Sequence, residues 1–441
     1  MSYPRYSQYK DSGIDWLGSV PAHWDVKPLK YVVTYNDEVL VETTPSDLEI
    51  NYVEISDVSE TEGIKNVQPM AFSDAPSRAR RIVRDGDTIV STVRTYLKAI
   101  ASIRNPVENL IVSTGFAVLR PTTQIVPSFL GYFVKSSYFL ETVVAQSVGV
   151  SYPATNASDV VNIPALLPLP PEQRAIAAFL DRETTRIDTL IAKQEQMIAL
   201  LQEKRKAIIS HAVIRGLNPD VPMKDSGLEW LGMVPQHWTI YKNRRLFYEV
   251  MDLSESGNEE LLTVSHLTGV TPRSEKSVNM IMAETLEGYK RCQAGDTVIN
   301  TMWAWMGALG TARQDGVVSP SYNVYRLRPT MKEAVDPSYL DYLYRTEVHV
   351  VEINRNSKGI WSSRLRLYPQ SFFEMSLPCP PIHEQKAIIT HLDHETAKID
   401  ALIDKAHTAI DLLKDRRTSL ISAAVTGKTD VRGGGEGRGM I

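Results

Sequence analysis

EQRAIAAFLDRETTRIDTLIAKQEQMIALLQEKRKAIISHAV, from Glu172 to Val213, returns as EQKAIITHLDHETAKIDALIDKAHTAIDLLKDRRTSLISAAV, from Glu384 to Val425, with 21 of 42 positions identical. Within each copy apolar and small residues recur at helical spacing. Ile187, Gln194, Leu201 and Ile208 fall seven apart, flanked by Ile191, Ile198, Arg205 and Ala212; Ile399, Ala406, Leu413 and Leu420 do the same, flanked by Ile403, Ile410, Arg417 and Ala424. Steps of three, four and seven define an apolar stripe suited to helix-on-helix packing. At 1.5 Å per residue, about 43 residues make a rod of roughly 60 Å. A lone helix of that kind would leave its stripe in water. The simplest arrangement packs the two copies on each other, antiparallel, with Ile187, Ile191, Ile198, Leu201 and Ile208 facing Ile399, Ile403, Ile410, Leu413 and Leu420. A pseudo-twofold axis would then relate them. The alternative, each helix packed only on its own globule, has their length against it.

The rest of the chain is also written twice. KDSGIDWLGSVPAHW (Lys10 to Trp24) matches KDSGLEWLGMVPQHW (Lys224 to Trp238) at 11 of 15 positions. Weaker echoes are GDTIVST (Gly86 to Thr92) against GDTVINT (Gly295 to Thr301), and FAVLRP against NVYRLRP, ending at Pro121 and Pro329. Short β-rich runs at Tyr52 to Val58, Thr88 to Val93 and Gly115 to Leu119 lie between polar or Gly/Pro punctuation. A helix is expected from Pro127 and another from Pro337, because proline suits a first helical turn. Proline-rich boundaries, LPLPP (Leu167 to Pro171) and LPCPP (Leu377 to Pro381), precede the long helices. The fold class is therefore α/β, mixed α+β: a globule at 1–165, a helix at 166–216, a second globule at 217–376, a second helix at 377–429, and a glycine-rich disordered tail at 430–441.

Composition bounds the function. At 441 residues the chain is modular, and 43% hydrophobic with 23% charged residues is the balance of a soluble globular protein. Only Cys292 and Cys379 are present, which suits a reducing compartment and leaves no disulfide framework. Met1 to Lys10 lacks the apolar stretch of a signal peptide, and no run reaches the length of a membrane span. Cytoplasm, with no membrane partner, is the expectation. A net charge of -4 argues against nonspecific coating of nucleic acid, yet Arg78 to Arg104 holds a local excess of five positive charges. Arg355, Lys358, Arg364 and Arg366 lie in a stretch, Ile353 to Gln370, without an acid.

Catalytic motifs fail on inspection. Asp336-Pro337-Ser338-Tyr339 is close to the loop with which amino-group methyltransferases hold a base, but its partner in the first half, Val126-Pro127-Ser128-Phe129, lacks the acid. The shared content is a helix start. Gly427-Lys428-Thr429 ends a helix rather than opening one, and Ala423 stands where a phosphate-binding loop needs glycine. His383, His391 and His394 read as surface residues, since Phe179 and Arg182 replace the latter two in the first copy. The chain reads as a non-enzyme with no metal or cofactor of its own.

Taken together, the two KDSG-x-x-WLG-x-VP-x-HW openings, the GDTIVSTVRTYLKAIA segment and the EQRAIAAFLDRETTRID and EQKAIITHLDHETAKID helix starts closely resemble the specificity subunits of type I restriction-modification systems, over the chain up to about Thr429. The resemblance implies two target recognition domains, each reading one half of a bipartite site in double-stranded DNA, with the helices setting the gap. It also implies partners: two modification subunits carrying an adenine methyltransferase, and restriction motor subunits. S-adenosylmethionine, ATP and Mg would be bound by those partners. Two alternatives remain open at this level: a coiled-coil scaffold that binds no DNA, and a specificity subunit of a methylation-only phage-defence system.

Candidate DNA-contacting residues fall in two regions of each half. Arg94, Tyr96 and Lys98 follow the GDTIVST strand, an aromatic between cations suited to phosphates and guanine edges. Their counterparts are Trp303 and Trp305. Arg78, Arg80 and Arg81 belong to the same basic cluster. Ahead of each proline-rich boundary lie Tyr152 and Asn156 in one half and Lys358, Trp361 and Arg364 in the other, in segments with the composition of loops. Trp16, Trp24, Trp230 and Trp238 are the same in both halves, so they cannot distinguish half-sites and are read as anchors.

Overall fold

A computed structural model describes residues 4–276, 285–360 and 365–432. Two compact units divide the chain: 1–194 with 407–441, and 195–406. The two repeated stretches form continuous helices, Pro170–Arg215 of 46 residues and Ile382–Val425 of 44. Each helix contributes its first half to one unit and its second half to the other. In the first unit Ile187 and Leu420 are buried and Ile191 and Leu413 half-buried, in one core with Phe129 and Phe133. In the second unit Ile208, Ala212 and Val213 share a core with Ile388 and Leu392. Ile198, Ile399 and Ile410 are buried, while Leu201 and Ile403 are half-buried.

The pairing sense is recorded by an ion pair that occurs twice. Asp188 meets Arg417 at 2.9 Å in the first unit, and Arg205 meets Asp400 at 3.5 Å in the second. Asp188 aligns with Asp400 and Arg205 with Arg417 in the sequence repeat. The acid of each copy therefore finds the cation of the other, as an antiparallel pair of equivalent helices requires.

Each unit is built on the same sheet. In the first, Ile100–Ser102, Thr88–Ser91, Phe116–Pro121 and Val33–Tyr35 lie side by side, all antiparallel. In the second, Leu309–Thr311, Thr297–Asn300, Tyr322–Leu327 and Phe247–Val250 take the same places. The Asp of each GDT motif explains that motif: Asp87 and Asp296 are almost wholly buried, and each takes a two-pronged arginine, Arg120 at 3.0 and 2.8 Å and Arg326 at 2.8 and 2.7 Å. This corrects the sequence match. Aligning FAVLRP with NVYRLRP on the final Pro equates Arg120 with Arg328, whereas Arg326 does the work of Arg120. The RLR spacing puts Arg326 and Arg328 on one face of the strand, so sequence alone could not choose between them.

Beyond that sheet the fillings differ. The first unit carries a second four-stranded sheet, ordered Gln68–Ala71, Glu49–Val53, Leu110–Ser113 and Ala79–Ile82, with one parallel pair. In the second unit two-stranded pairs lie at Leu262–Ser265 with Gly269–Pro272 and at Lys290–Cys292 with Gly316–Val318. The run expected to be extended from Tyr52 to Val58 breaks at Val53, where Ile55–Asp57 make a 3-10 turn. The buried Asp57 carboxylate causes the break, accepting from the Glu54 N–H, Asn66 and Gln68. Helices start as expected at Pro127 and Pro337.

The openings and the long helices are joined by one repeated device. Trp24 and Trp238 are buried and donate their indole N–H to Glu172 and Glu384, which also meet His23 and His237. Next door, Gln173 and Gln385 are fully buried. Each accepts from a backbone N–H, of Val126 or Asp336, and donates to two carbonyls. The carboxylates sit in the first helical turn, where the helix dipole favours them. Trp16 is exposed beside Tyr138, and Trp230 is half-buried against His349. Residues 430–432, expected to belong to a disordered tail, are packed instead: the Asp430 N–H reaches the Pro4 carbonyl, Val431 is buried, and Arg432 covers the Tyr6 ring. Residues 433–441 lie outside the described residues.

The repeat also exposes a liability. Ser136 and Thr346 cap equivalent helices, so Phe139 and His349 hold the same buried position. His349 packs against Tyr344 and Trp230 with no formed hydrogen bond at either ring nitrogen. Burial depresses its pKa from 6.5 to about 3, with the Tyr344 backbone offsetting little of this. Folded, the ring stays neutral; unfolded, it takes a proton below about 6.5. Stability contributed by the neutral ring is thus complete above that pH and lost as pH falls toward 3. At about pH 5 the loss is about 2 kcal/mol. His349→Phe, copying the first unit, should flatten this part of the stability-versus-pH curve. Urea melts at pH 7 and 5 check it, and an unchanged pH slope in the variant would refute the assignment.

Candidate nucleic-acid interface

The two candidate regions of the first unit, far apart in sequence, form one surface. Val93 bridges to Ala154, the Thr155 N–H bonds the Thr92 carbonyl at 2.9 Å, and the Thr95 hydroxyl meets that of Ser147 at 2.8 Å. The Arg94 guanidinium lies over the Tyr152 ring at 4.8 Å. Both line a cleft of about 360 Å³ with Glu54, Arg78 and Ser113. Tyr96, Leu97 and Lys98 project beside it and are exposed.

The backbone there is strained. Arg94 and Lys98 have φ of 52° and 49°, a left-handed conformation that costs a non-glycine residue about 1 kcal/mol, and they bracket the 3-10 turn Thr95–Leu97. At the equivalent turn of the second unit, Ala304–Met306, Trp303 has φ -123° and the closing residue is Gly307 at 91°. A left-handed lysine where glycine would be free of strain marks a surface held for its side chains rather than for stability.

The basic cluster sorts itself by partner. Arg78 pairs with Glu54 at 2.9 Å, Arg84 with Glu38 at 2.8 Å and Arg104 with Asp181 at 3.5 Å. Arg80 stacks on Phe72, and Arg81 is half-buried in its strand with Nε unpartnered. Arg94 and Lys98 form no ion pair among the described residues, although, after the Ser56 hydroxyl and Arg78, the Arg94 charge helps hold the Glu54 carboxyl below its ordinary range across the cleft; the Lys98 charge is left available to an incoming anion. Asn156 bonds Asp159 at 3.2 Å at the head of a short helix, a local structural task. Glu54, unnoticed in the sequence, holds Arg78 at the cleft and carries no local motif that would reveal it.

In the second unit Trp303 is half exposed and Trp305 partly buried, its indole N–H bonding the Met302 carbonyl at 3.1 Å. Lys358 is exposed and pairs through its backbone with Arg366. Trp361 and Arg364 lie outside the described residues. No helix among the described residues is long and apolar enough to cross a membrane, and no group of three or more His, Cys, Asp and Glu among them is placed to hold a metal ion.

No family model matches the chain. It is 26% identical over 282 residues to the type I restriction enzyme EcoBI specificity subunit of Escherichia coli, covering 60% of this chain and 58% of that one. To the EcoKI specificity subunit of Escherichia coli K12 it is 21% identical over 444 residues, covering 93% and 90%. Among solved structures, a chain from work on assembly and conformational transition of the type I R-M system matches with TM-score 0.72 at 22% identity, over 92% of this chain and 99% of that one. The HsdS subunit from Thermoanaerobacter tengcongensis matches with TM-score 0.54 at 22% identity, over 92% and 98%.

Proposed function

We propose that this chain, a type I restriction-modification specificity subunit, reads an asymmetric bipartite site in double-stranded DNA, one half with each unit. The carrying observation is that one frame, fixed twice by the same Asp–Arg, Glu–Trp and Gln contacts, presents different chemistry at the same place. Arg94, Tyr96 and Lys98 stand where the second unit has Trp303, Trp305 and Gly307. A guanidinium stacked on an aromatic is suited to the O6 and N7 edge of guanine, and an indole is not. Half-sites read by such surfaces must differ.

The chain itself positions rather than reacts. Two modification subunits would bring S-adenosylmethionine and the adenine methyltransferase, and restriction subunits would bring ATP, Mg and the motor. Residues 1–165 and 217–376 would be the recognition domains and the long helices their spacer, all in the cytoplasm. Mapping methylated adenines across a host genome with and without the gene tests the reading: one split motif should lose its methylation when the gene is deleted. An unchanged methylome in a host that carries the modification subunit would sink it.

A further inference from the structure

Each unit has a cavity where its Ile100–Ser102 or Leu309–Thr311 strand meets the helix that opens at Pro127 or Pro337 and the long helix beside it, about 220 Å³ in the first unit and about 450 Å³ in the second. The linings correspond. Ser102 and Thr311, Tyr132 and Tyr342, and Asp181 and Asp393 hold equivalent places, and each tyrosine hydroxyl donates to its aspartate, at 2.8 and 2.6 Å. Arg104, Lys135 and Arg417 gather there in the first unit, and Arg313, Arg345 and Arg205 in the second.

The two sets differ by one carboxylate. In the second unit Asp341 takes Arg345 at 3.0 Å and Arg313 at 3.8 Å and accepts from the Thr311 N–H at 3.1 Å, while Asp400 takes Arg205. Gly131 stands in its place in the first unit. A Cβ on Gly131 would lie 2.1 Å from the Ser102 hydroxyl, so no side chain can enter from that position as the site is built. Arg104 turns instead to Asp181, at 3.5 Å, and Arg417 keeps Asp188 at 2.9 Å. Lys135 is left over.

Its ammonium forms no ion pair among the described residues and is half-buried. Burial, reinforced by Arg417 and Arg104, pulls its pKa from 10.5 down to about 8, although the Glu60 and Asp188 charges act in the other direction. Glu62 also lines the cavity but is exposed and forms no ion pair. A cation taken from water without a partner is costly, so the place calls for a counter-charge. Chemistry narrows the choice. Around the cavity stand an ammonium, a guanidinium with N–H groups to spare, and the Ser102 and Ser128 hydroxyls, which make no hydrogen bond among the described residues. Several donors converging on one small space match an oxyanion, which offers several acceptors at once. We infer that the first unit binds a small oxyanion of the phosphate type between Lys135, Arg104 and Ser102, in the role that the Asp341 carboxylate fills in the second unit. One unit carries its own counter-charge and the other takes it from solution.

Inorganic phosphate is the probe, titrated into the full-length chain at constant ionic strength with chloride making up the balance. Calorimetry should find one site, and saturating phosphate should raise the melting temperature by about 3 °C. Lys135→Met should weaken binding by about tenfold and remove the shift. Lys193→Met, exposed on the long helix and outside the cavity, should keep both. Gly131→Asp combined with Ser102→Ala supplies the carboxylate from within, and that chain should no longer respond to phosphate. A short DNA duplex separates the sources of the anion: competition with phosphate assigns the site to a backbone phosphate, simultaneous binding assigns it to a free ion, and both support it. A wild-type chain that binds no phosphate overturns the inference and leaves the place to Glu60. So does an undiminished response in Lys135→Met, which would mark a general salt effect, and so does wild-type binding in the folded double variant.

Discussion

Exchanging residues 1–165, proposed as the first recognition domain, for the same region of a relative is expected to replace one half-site of the target completely and leave the other untouched. The sequence repeat sets the exchange at Met1 to Ala165, and the structure supplies a better seam. Ala165 lies inside the strand Pro164–Leu167, which pairs with Asp25–Pro28 of the same unit, so a cut there would join two unrelated edges. Leu169, exposed and immediately ahead of the first long helix, avoids this. The incoming domain must still cover Leu420, Ile421, Ala424 and Val425, which share the first core with Phe129 and Phe133. A donor with that face preserved should fold, and its melting curve reports whether it does. The methylome of a folded chimera should then show the donor's half-site beside the native second one. A folded chimera in which both half-sites change, or neither, would rule out independent readers.

What the sequence made legible follows from the range of the forces involved. The long helices were readable because a 3.5-residue period is local and was written twice. Their mutual contacts were foreshadowed by burial alone, but the exchange of Asp188 and Arg205 with Arg417 and Asp400 needed three dimensions, since nothing marks an exposed acid as a partner. The GDT motif was visible as a strand, while its Asp acquired meaning only when Arg120 and Arg326 came across the sheet. The Arg326 and Arg328 ambiguity shows the limit of strand alignment: period two makes neighbours on one face interchangeable on paper.

The candidate interface was legible in its parts and not in its assembly. Arg94 and Tyr152 were each picked out by chemistry, in segments some sixty residues apart, and an isolated bridge between Val93 and Ala154 makes them one surface. No pattern announces a one-residue bridge. The positive φ of Arg94 and Lys98 was equally hidden, because only glycine, or asparagine and aspartate, advertise that conformation. Conversely, the net positive run from Arg78 to Arg104 overstated the available charge, since Glu54, Glu38 and Asp181 claim three of its arginines.

Lengthening the helices should change the spacing between half-sites without changing their sequences. The duplicated ion pair says where to cut. Asp188–Arg417 and Arg205–Asp400 bracket the same stretch in both helices, so equal insertions after Glu195 and after the aligned His407 leave both pairs intact, whereas an insertion in one helix, for example between Gln202 and Arg205, would shift one pair out of register. Glu195 and His407 are exposed, so the added residues need not break the apolar stripe. Four residues add about 6 Å and roughly 40° beyond a full turn, and seven add about 10 Å with roughly 20° to make up. With base pairs about 3.4 Å apart, the nonspecific gap should widen by about one or two pairs for four residues and by about three for seven. The seven-residue variant should be the more stable, since a heptad restores the seam. Methylome sequencing reads the gap directly, and melting curves separate loss of spacing control from loss of fold. A folded, active pair of insertions with the native gap would show that the helices only pad their own globules, and the spacer mechanism would fail.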